Sequence, residues 1–85
     1  MQDILSALNA MEAENFTTGK AWEDAHMVAQ AHEGTPAYDR LHALCHRIEG
    51  DLGNAGYWYR RAGVNVFSGS FAEEKQALEA DLNSD

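Results

Sequence analysis

Apolar residues recur along this chain at spacings of three and four, and turn-forming residues interrupt them at intervals. That period belongs to helices with one buried face. Ile4, Leu5, Leu8 and Met11 mark a first helix, with Asp3 placed to cap it and a fade near Asn15, before the turn Thr17-Thr18-Gly19. A second helix is predicted over residues 20–32. Trp22, Ala25, Val28, Ala29 and His32 form its inner face, and Gly34 stops it. Thr35-Pro36 has the form of an N-cap with proline at the first helical position. It opens a third helix over residues 36–49 that buries Leu41, Leu44, Cys45 and Ile48 and ends at Gly50.

Asp51 caps a fourth helix whose inward positions are Leu52, Ala55, Tyr59 and Ala62, and Gly63 closes it. The segment VNVFSG, residues 64–69, is partly β-like, but no second alternating run exists to pair with it. It reads as a packed connector. Ser70 and Glu73 in SFAE form a capping box for a fifth helix carrying Phe71, Leu78 and Leu82. The terminal Asn83-Ser84-Asp85 should fray. No linker or low-complexity tract divides the chain. The expected fold class is all-α: a compact bundle of about five short helices forming a single domain over residues 1–85.

One stretch resists this simple pattern. EGDLGNAGYWYRRAG, residues 49–63, sets glycines at 53 and 56 inside a helix, each costing about 1 kcal/mol relative to alanine. Counted from Gly50, the positions of Ala55, Tyr59 and Ala62 resemble the tetratricopeptide signature, in which glycine closes one helix and alanine, an aromatic and alanine line the next. The resemblance implies a tetratricopeptide-like helix-turn-helix core. Small residues would let the two helices approach, Tyr59 would fill the gap, and Gly53 and Gly56 would allow closer contact on the flanks.

It covers about one repeat. Asp39, His42 and His46 stand where bulky apolar residues are usual, and Phe67 where proline is. A fainter echo, with Ala25, Ala29 and Pro36, lies one helix pair earlier, and the chain is too short for a stacked solenoid. The wider string AWEDAH, HALCHR and GDLGNAGYWYRRAG, spanning residues 22–63, resembles a family of small all-helical proteins of unassigned function. That likeness implies a fold and a shared surface, not a reaction.

Charge narrows the partners. Fourteen Asp and Glu against six Lys and Arg give a net charge of −8. Nucleic acid and anionic membrane surfaces are therefore excluded as general partners, since both demand cations. No apolar run approaches the ~18 residues of a membrane span, and MQDILSALNA is acidic and amphipathic, unlike a signal peptide. The single Cys45 excludes an internal disulfide and suits a reducing compartment, so the expected location is cytoplasmic. A chain this short buries roughly 60–65% of its unfolded surface. Its stability should be a few kcal/mol, so a partner or dimer contact would matter.

Two groups of residues carry candidate chemistry. His42 and His46 stand four apart and share a helix face, flanked by Asp39 and Glu49, while His26 lies at a comparable edge of the second helix. If these helices pair antiparallel, three imidazoles and a carboxylate would suit Zn²⁺. No HExxH is present, and the economical reading is half-buried histidines hydrogen-bonded to carboxylates at helix seams. Cys45 falls near the apolar stripe and reads as an inert small hydrophobe. No GxSxG, P-loop, GxGxxG or CxxC occurs, and the glycines of EGDLGNAG follow no strand.

The second group is the rim of the fourth helix. Tyr57, Arg60 and Arg61 point outward with Trp58 at the edge of the buried face. Together with Arg40 and Arg47 they concentrate positive charge in the middle third of an acidic chain. Tyr, Trp and Arg anchor interfaces, and arginine receives carboxylates. Alternatively the arginines pair internally with Asp39, Glu49 and Asp51 while Trp58 fills the core. The reading from sequence is thus a small protein-interaction module without a cofactor, taking another protein or an acidic peptide, rather than an enzyme. The alternatives are a zinc-binding protein or metal-dependent enzyme centred on His26, His42 and His46, and a helical subunit completed by homodimerisation.

Overall fold

A computed structural model describes residues 1–83; of the three terminal residues expected to fray, Asn83 is still helical and residues 84–85 lie outside the described residues. The helices are α1 (Gln2–Ala13), α2 (Lys20–Gln30), α3 (Pro36–Glu49), α4 (Leu52–Ala62) and α5 (Phe71–Asn83). Residues 64–69 form an irregular connector, and no strand occurs among the described residues.

The local stop signals act as their chemistry dictates. Gly50 and Gly63 take left-handed backbone (φ 86° and 77°) and close α3 and α4. The residues after them bond back to the helix: Asp51 N–H donates to His46 O at 2.9 Å and Val64 N–H to Tyr59 O at 3.1 Å. Asp51 Oδ1 accepts from Asn54 N–H, capping α4. Ser70 and Glu73 complete the reciprocal capping box, at 2.8 and 3.1 Å.

Several expectations need correction. Asp3 is not the N-cap of α1, which starts after Met1; its Oδ1 accepts from the adjoining Ile4 N–H and from the Tyr38 hydroxyl, each at 2.9 Å, the second tying α1 to α3. α2 ends at Gln30, two residues before the predicted edge. His32 therefore falls in the following turn, exposed, with its ring 4.1 Å from that of Tyr38. Leu52 is 70% exposed. It is the first residue of α4, immediately past the bend that ends α3, so the facing helix has run out where it begins. Gly53 and Gly56 do not mediate close contact. A Cβ at 53 would meet only Asp51 Oδ1 at 3.9 Å, and one at 56 the tip of Arg60 at 3.4 Å. Nothing in the structure explains the choice of glycine at these two positions.

α3 is the central element, with Tyr38, Asp39, Leu41, His42, Ala43, Leu44, Cys45 and His46 all buried. On one side lies the main core, where Leu41, Leu44 and Cys45 meet Ile4, Leu8 and Met11 of α1, Ala25 and Ala29 of α2, and Leu78 of α5. On the other, Ala43 packs against Ala55, Trp58 and Tyr59 of α4, with Phe67 of the connector closing the cluster. The small residues at 43 and 55 face each other in this α3–α4 contact. An apolar cleft of about 460 Å³ lies between the start of α3, the end of α4 and α5; none of its lining residues is a histidine.

Two arginines read as part of a partner-binding surface, Arg40 and Arg47, are instead paired within the fold, though not with Asp39, Glu49 or Asp51. Arg47 reaches across to α5, where Nη1 lies 2.5 Å from Oε1 of the fully buried Glu74, and its Nη2 donates to Gly69 O at 2.7 Å. Arg40 pairs with Asp81, also on α5. Both bonds draw α5 onto α3. Among the described residues no helix is long and apolar enough to cross a membrane.

Candidate functional site

The packing of α2 on α3 brings three histidines together. His42 and His46, one turn apart on α3, stack with ring centres 4.9 Å apart. His26 of α2 meets both edge-on, at 4.7 Å from His42 and 5.3 Å from His46. One ring nitrogen from each lies within 4.8 Å of the others. Tryptophans wall the cluster on both sides. Trp22 stacks on His26 at 5.0 Å, fixed by its indole N–H donating to Cys45 O at 2.7 Å. Trp58 stacks on His42 at 3.9 Å, almost parallel.

Carboxylates do not account for this arrangement. Among the described residues only His46 has one: its Nδ1 lies 2.6 Å from Glu49 Oε2. His26 Nε2 and His42 Nδ1 are buried without a hydrogen-bond partner among the described residues. Such buried orphans are rare, and each costs about 1–3 kcal/mol. The expected carboxylate for His42, Asp39, instead accepts from Gly34 N–H at 3.1 Å through Oδ1.

Burial favours the neutral form of His42 and His26. Burial, with the neighbouring His26 and His46 adding to it, lowers the His42 pKa to about 4. His26 is lowered for the same reasons, burial first and His46 second, against an opposing pull from Glu49 and Glu33. A neutral imidazole is the form that binds a metal. Cys45 stays apart: it is buried in the main core, and burial pushes its thiol up to about 12. It behaves as the small hydrophobe expected.

On the rim of α4, Arg60 and Arg61 are exposed and Tyr57 is 43% exposed, while Trp58 turns inward at 8% exposure, filling the core as the alternative reading had it. Arg40 and Arg47 are occupied by Asp81 and Glu74 and present little surface, their side chains being 13% and 14% exposed. Arg61 folds back over the helix, donating from Nη1 to the Tyr57 hydroxyl at 3.0 Å, with its guanidinium 5.1 Å from the Trp58 ring. Lys20 and Lys75 are also ion-paired, so Arg60 and Arg61 are the cations without a carboxylate contact among the described residues.

Trp22 as a wall of the cluster, and Trp58 as the link between cluster and rim, were not visible as such. Trp22 followed a core periodicity and Trp58 stood at the edge of one, and neither position gave a hint of what its ring would face. The buried Glu74 was also missed. A signal existed, because position 74 continues the 71–78–82 stripe of α5, but a carboxylate in an acidic run reads as solvated. Comparison with protein-family models, with curated proteins and with solved structures finds no match to this chain.

Proposed function

We propose that this is a metal-binding helical protein in which His26, His42 and His46 hold one divalent transition-metal ion of the zinc class. The observation that carries the reading is the convergence of three histidines from two helices, two of them with buried nitrogens that have no partner among the described residues. Zinc–nitrogen bonds of about 2.0–2.1 Å at tetrahedral angles set imidazole centres roughly 5 Å apart. The observed separations of 4.7–5.3 Å agree with that spacing. Small ring rotations would then draw the nitrogens in. Glu49 on His46 supplies the outer carboxylate that commonly orients a metal-bound histidine, leaving Nε2 of that ring for the ion. The bare alternative, a purely structural histidine cluster, gives these two nitrogens no partner among the described residues.

The test is titration of metal-free protein with zinc, followed by calorimetry and metal analysis. We expect one ion per chain, lost in the His42→Ala, His46→Ala double variant and in His26→Ala. Absence of stoichiometric binding, or binding unaffected by those changes, removes this reading.

A second reading, a protein-interaction face on a tetratricopeptide-like hairpin, is favoured by the two uncompensated arginines beside exposed Tyr57 on a chain of net charge −8. Its partner would be another protein presenting an acidic segment. The Tyr57→Ala, Arg61→Ala double variant should fold normally and lose that partner. A variant that retains the partner argues for a site elsewhere. Light scattering on the same preparations tests for a homodimer.

A further inference from the structure

An ion bound for the three-histidine cluster needs a way in, and the cluster is closed on two sides. His26 Nε2 and His42 Nδ1 are buried. Trp22 stacks on His26 and Trp58 on His42. No tryptophan stacks on His46 among the described residues, and it is His46 that adjoins exposed polar groups.

His46 belongs to a second set of ligand atoms as well. One atom each from His46, Glu49 and Asp51 lies within 4.8 Å of the others, and both carboxylates are exposed. The chain places them together at one bend: Glu49 ends α3, Gly50 turns the backbone in its left-handed conformation, and Asp51 opens α4. Each acid also has a local task. Glu49 Oε2 meets His46 Nδ1, and Asp51 accepts from the Asn54 N–H at 3.2 Å and from Asn54 Nδ2 at 2.8 Å. A carboxylate has about four acceptor sites, so these bonds leave capacity on both. The tasks explain each acid singly. They do not require two carboxylates beside the one histidine of the cluster that no indole covers.

We propose that Glu49 and Asp51 form an outer docking site for the hydrated divalent ion, which then passes along the His46 ring to the buried nitrogens of the cluster. The proposal rests on the metal reading above, and neither carboxylate is a ligand in the loaded state. At the outer site the ion keeps its water shell, whose hydrogens the carboxylate oxygens accept. It exchanges those waters for imidazole nitrogens as it moves inward. Two negative charges before a buried site concentrate a dication and speed its association. Their field reaches inward, since Glu49 acts through space on His26. Glu33, in the turn after α2, acts on His26 too and marks the rival entrance.

The experiment mixes the metal-free full chain with Co²⁺ by stopped flow and follows tryptophan emission, which a paramagnetic ion beside Trp22 and Trp58 quenches. Asp51→Asn carries the test, because asparagine caps a helix about as well as aspartate and Glu49 has the further task of orienting His46. Asp24→Asn removes the same charge from a carboxylate paired with Lys20, and Glu33→Gln removes it from the rival entrance. Asp51→Asn should keep a melting temperature close to wild type without metal and still bind one Co²⁺. It should associate at least about threefold more slowly at low salt, with the difference shrinking at high salt. A merely structural Asp51 would not produce that salt dependence. Asp24→Asn should match wild type. If Co²⁺ does not bind, the metal reading fails and this inference with it. If Co²⁺ binds and Asp51→Asn associates as fast as Asp24→Asn, the inference alone is overturned. Slowing confined to Glu33→Gln places the entrance at the α2–α3 turn and overturns it as well.

Discussion

The Tyr59 hydroxyl donates a 2.5 Å hydrogen bond to Oε2 of Glu74, a carboxylate with no solvent contact. The other oxygen of Glu74 takes the Arg47 guanidinium, so one buried acid joins α3, α4 and α5. Arg47 in turn holds the connector through Gly69 O and lies 5.0 Å from the Phe71 ring. Replacing a buried ion pair with apolar groups can be neutral, but removing one partner leaves a charge stranded.

Glu74→Ala should therefore cost about 3–5 kcal/mol. A urea denaturation midpoint that hardly moves would show that Arg47 and Tyr59 find other partners at little cost. Tyr59→Phe, which removes only one donor, should cost less, about 1–3 kcal/mol, because Glu74 keeps Arg47.

The α3–α4 seam yields the second prediction. Ala55 is 1% exposed and shares a cluster with the wholly buried Ala43. Ala55→Leu should overpack this contact and destabilise by about 1–3 kcal/mol. Gly53 is exposed and helical with open space around it, so Gly53→Ala should stabilise by roughly 0.5–1 kcal/mol. Opposite signs at two positions two residues apart, one on the solvent side of α4 and one on the seam, are what the seam requires. An Ala55→Leu protein with unchanged midpoint would contradict it.

How much of this was legible depends on the range of the interaction. The stops at Gly50 and Gly63, the Asp51 cap and the Ser70–Glu73 box are settled within a few residues, and each was readable. Leu52 was misplaced because its burial depends on where the facing helix ends, which helical periodicity does not encode. Asp3 looks like a cap locally, yet Tyr38, 35 residues away, claims its carboxylate. The same limit governed the histidines. The four-residue step from His42 to His46 was plain, but whether His26 would reach them depended on how α2 lies on α3. Nor did the alternation of core positions show that Trp22 and Trp58 would stack on imidazoles rather than on aliphatic side chains.

Acid should weaken the metal-free protein through the same cluster. His42 and His26 are held below the ordinary histidine pKa of 6.5 when folded, chiefly by burial. The folded state thus binds fewer protons than the unfolded chain. Their contribution is present in full above pH 6.5 and is lost as pH falls toward about 4, the folded value of His42. Melting temperature should decline across that window, and the decline should be shallower in His42→Gln. A flat wild-type profile between pH 7 and pH 4.5 would mean that the cluster opens to water before it charges.

Metal should act in the opposite direction, because it links α2 to α3 through ligands 16 and 20 residues apart in sequence. A ligand that binds only the folded state stabilises it by about 2.7 kcal/mol at a hundredfold excess over its dissociation constant. Zinc should accordingly raise the melting temperature of wild type and have no such effect on the His42→Ala, His46→Ala protein. The sharper test is Glu49→Gln. Glu49 is not proposed as a ligand; its role is to hold His46 through the 2.6 Å contact to Nδ1 and so aim Nε2 at the ion. Removing the carboxylate's charge while keeping its shape should weaken zinc about 10–100-fold and reduce the thermal shift in proportion, leaving the stoichiometry at one. A merely structural Glu49 would lower the melting temperature of the metal-free protein and leave the affinity untouched. If Glu49→Gln binds zinc as tightly as wild type, His46 is oriented by its helix alone and the outer carboxylate has no part in the site.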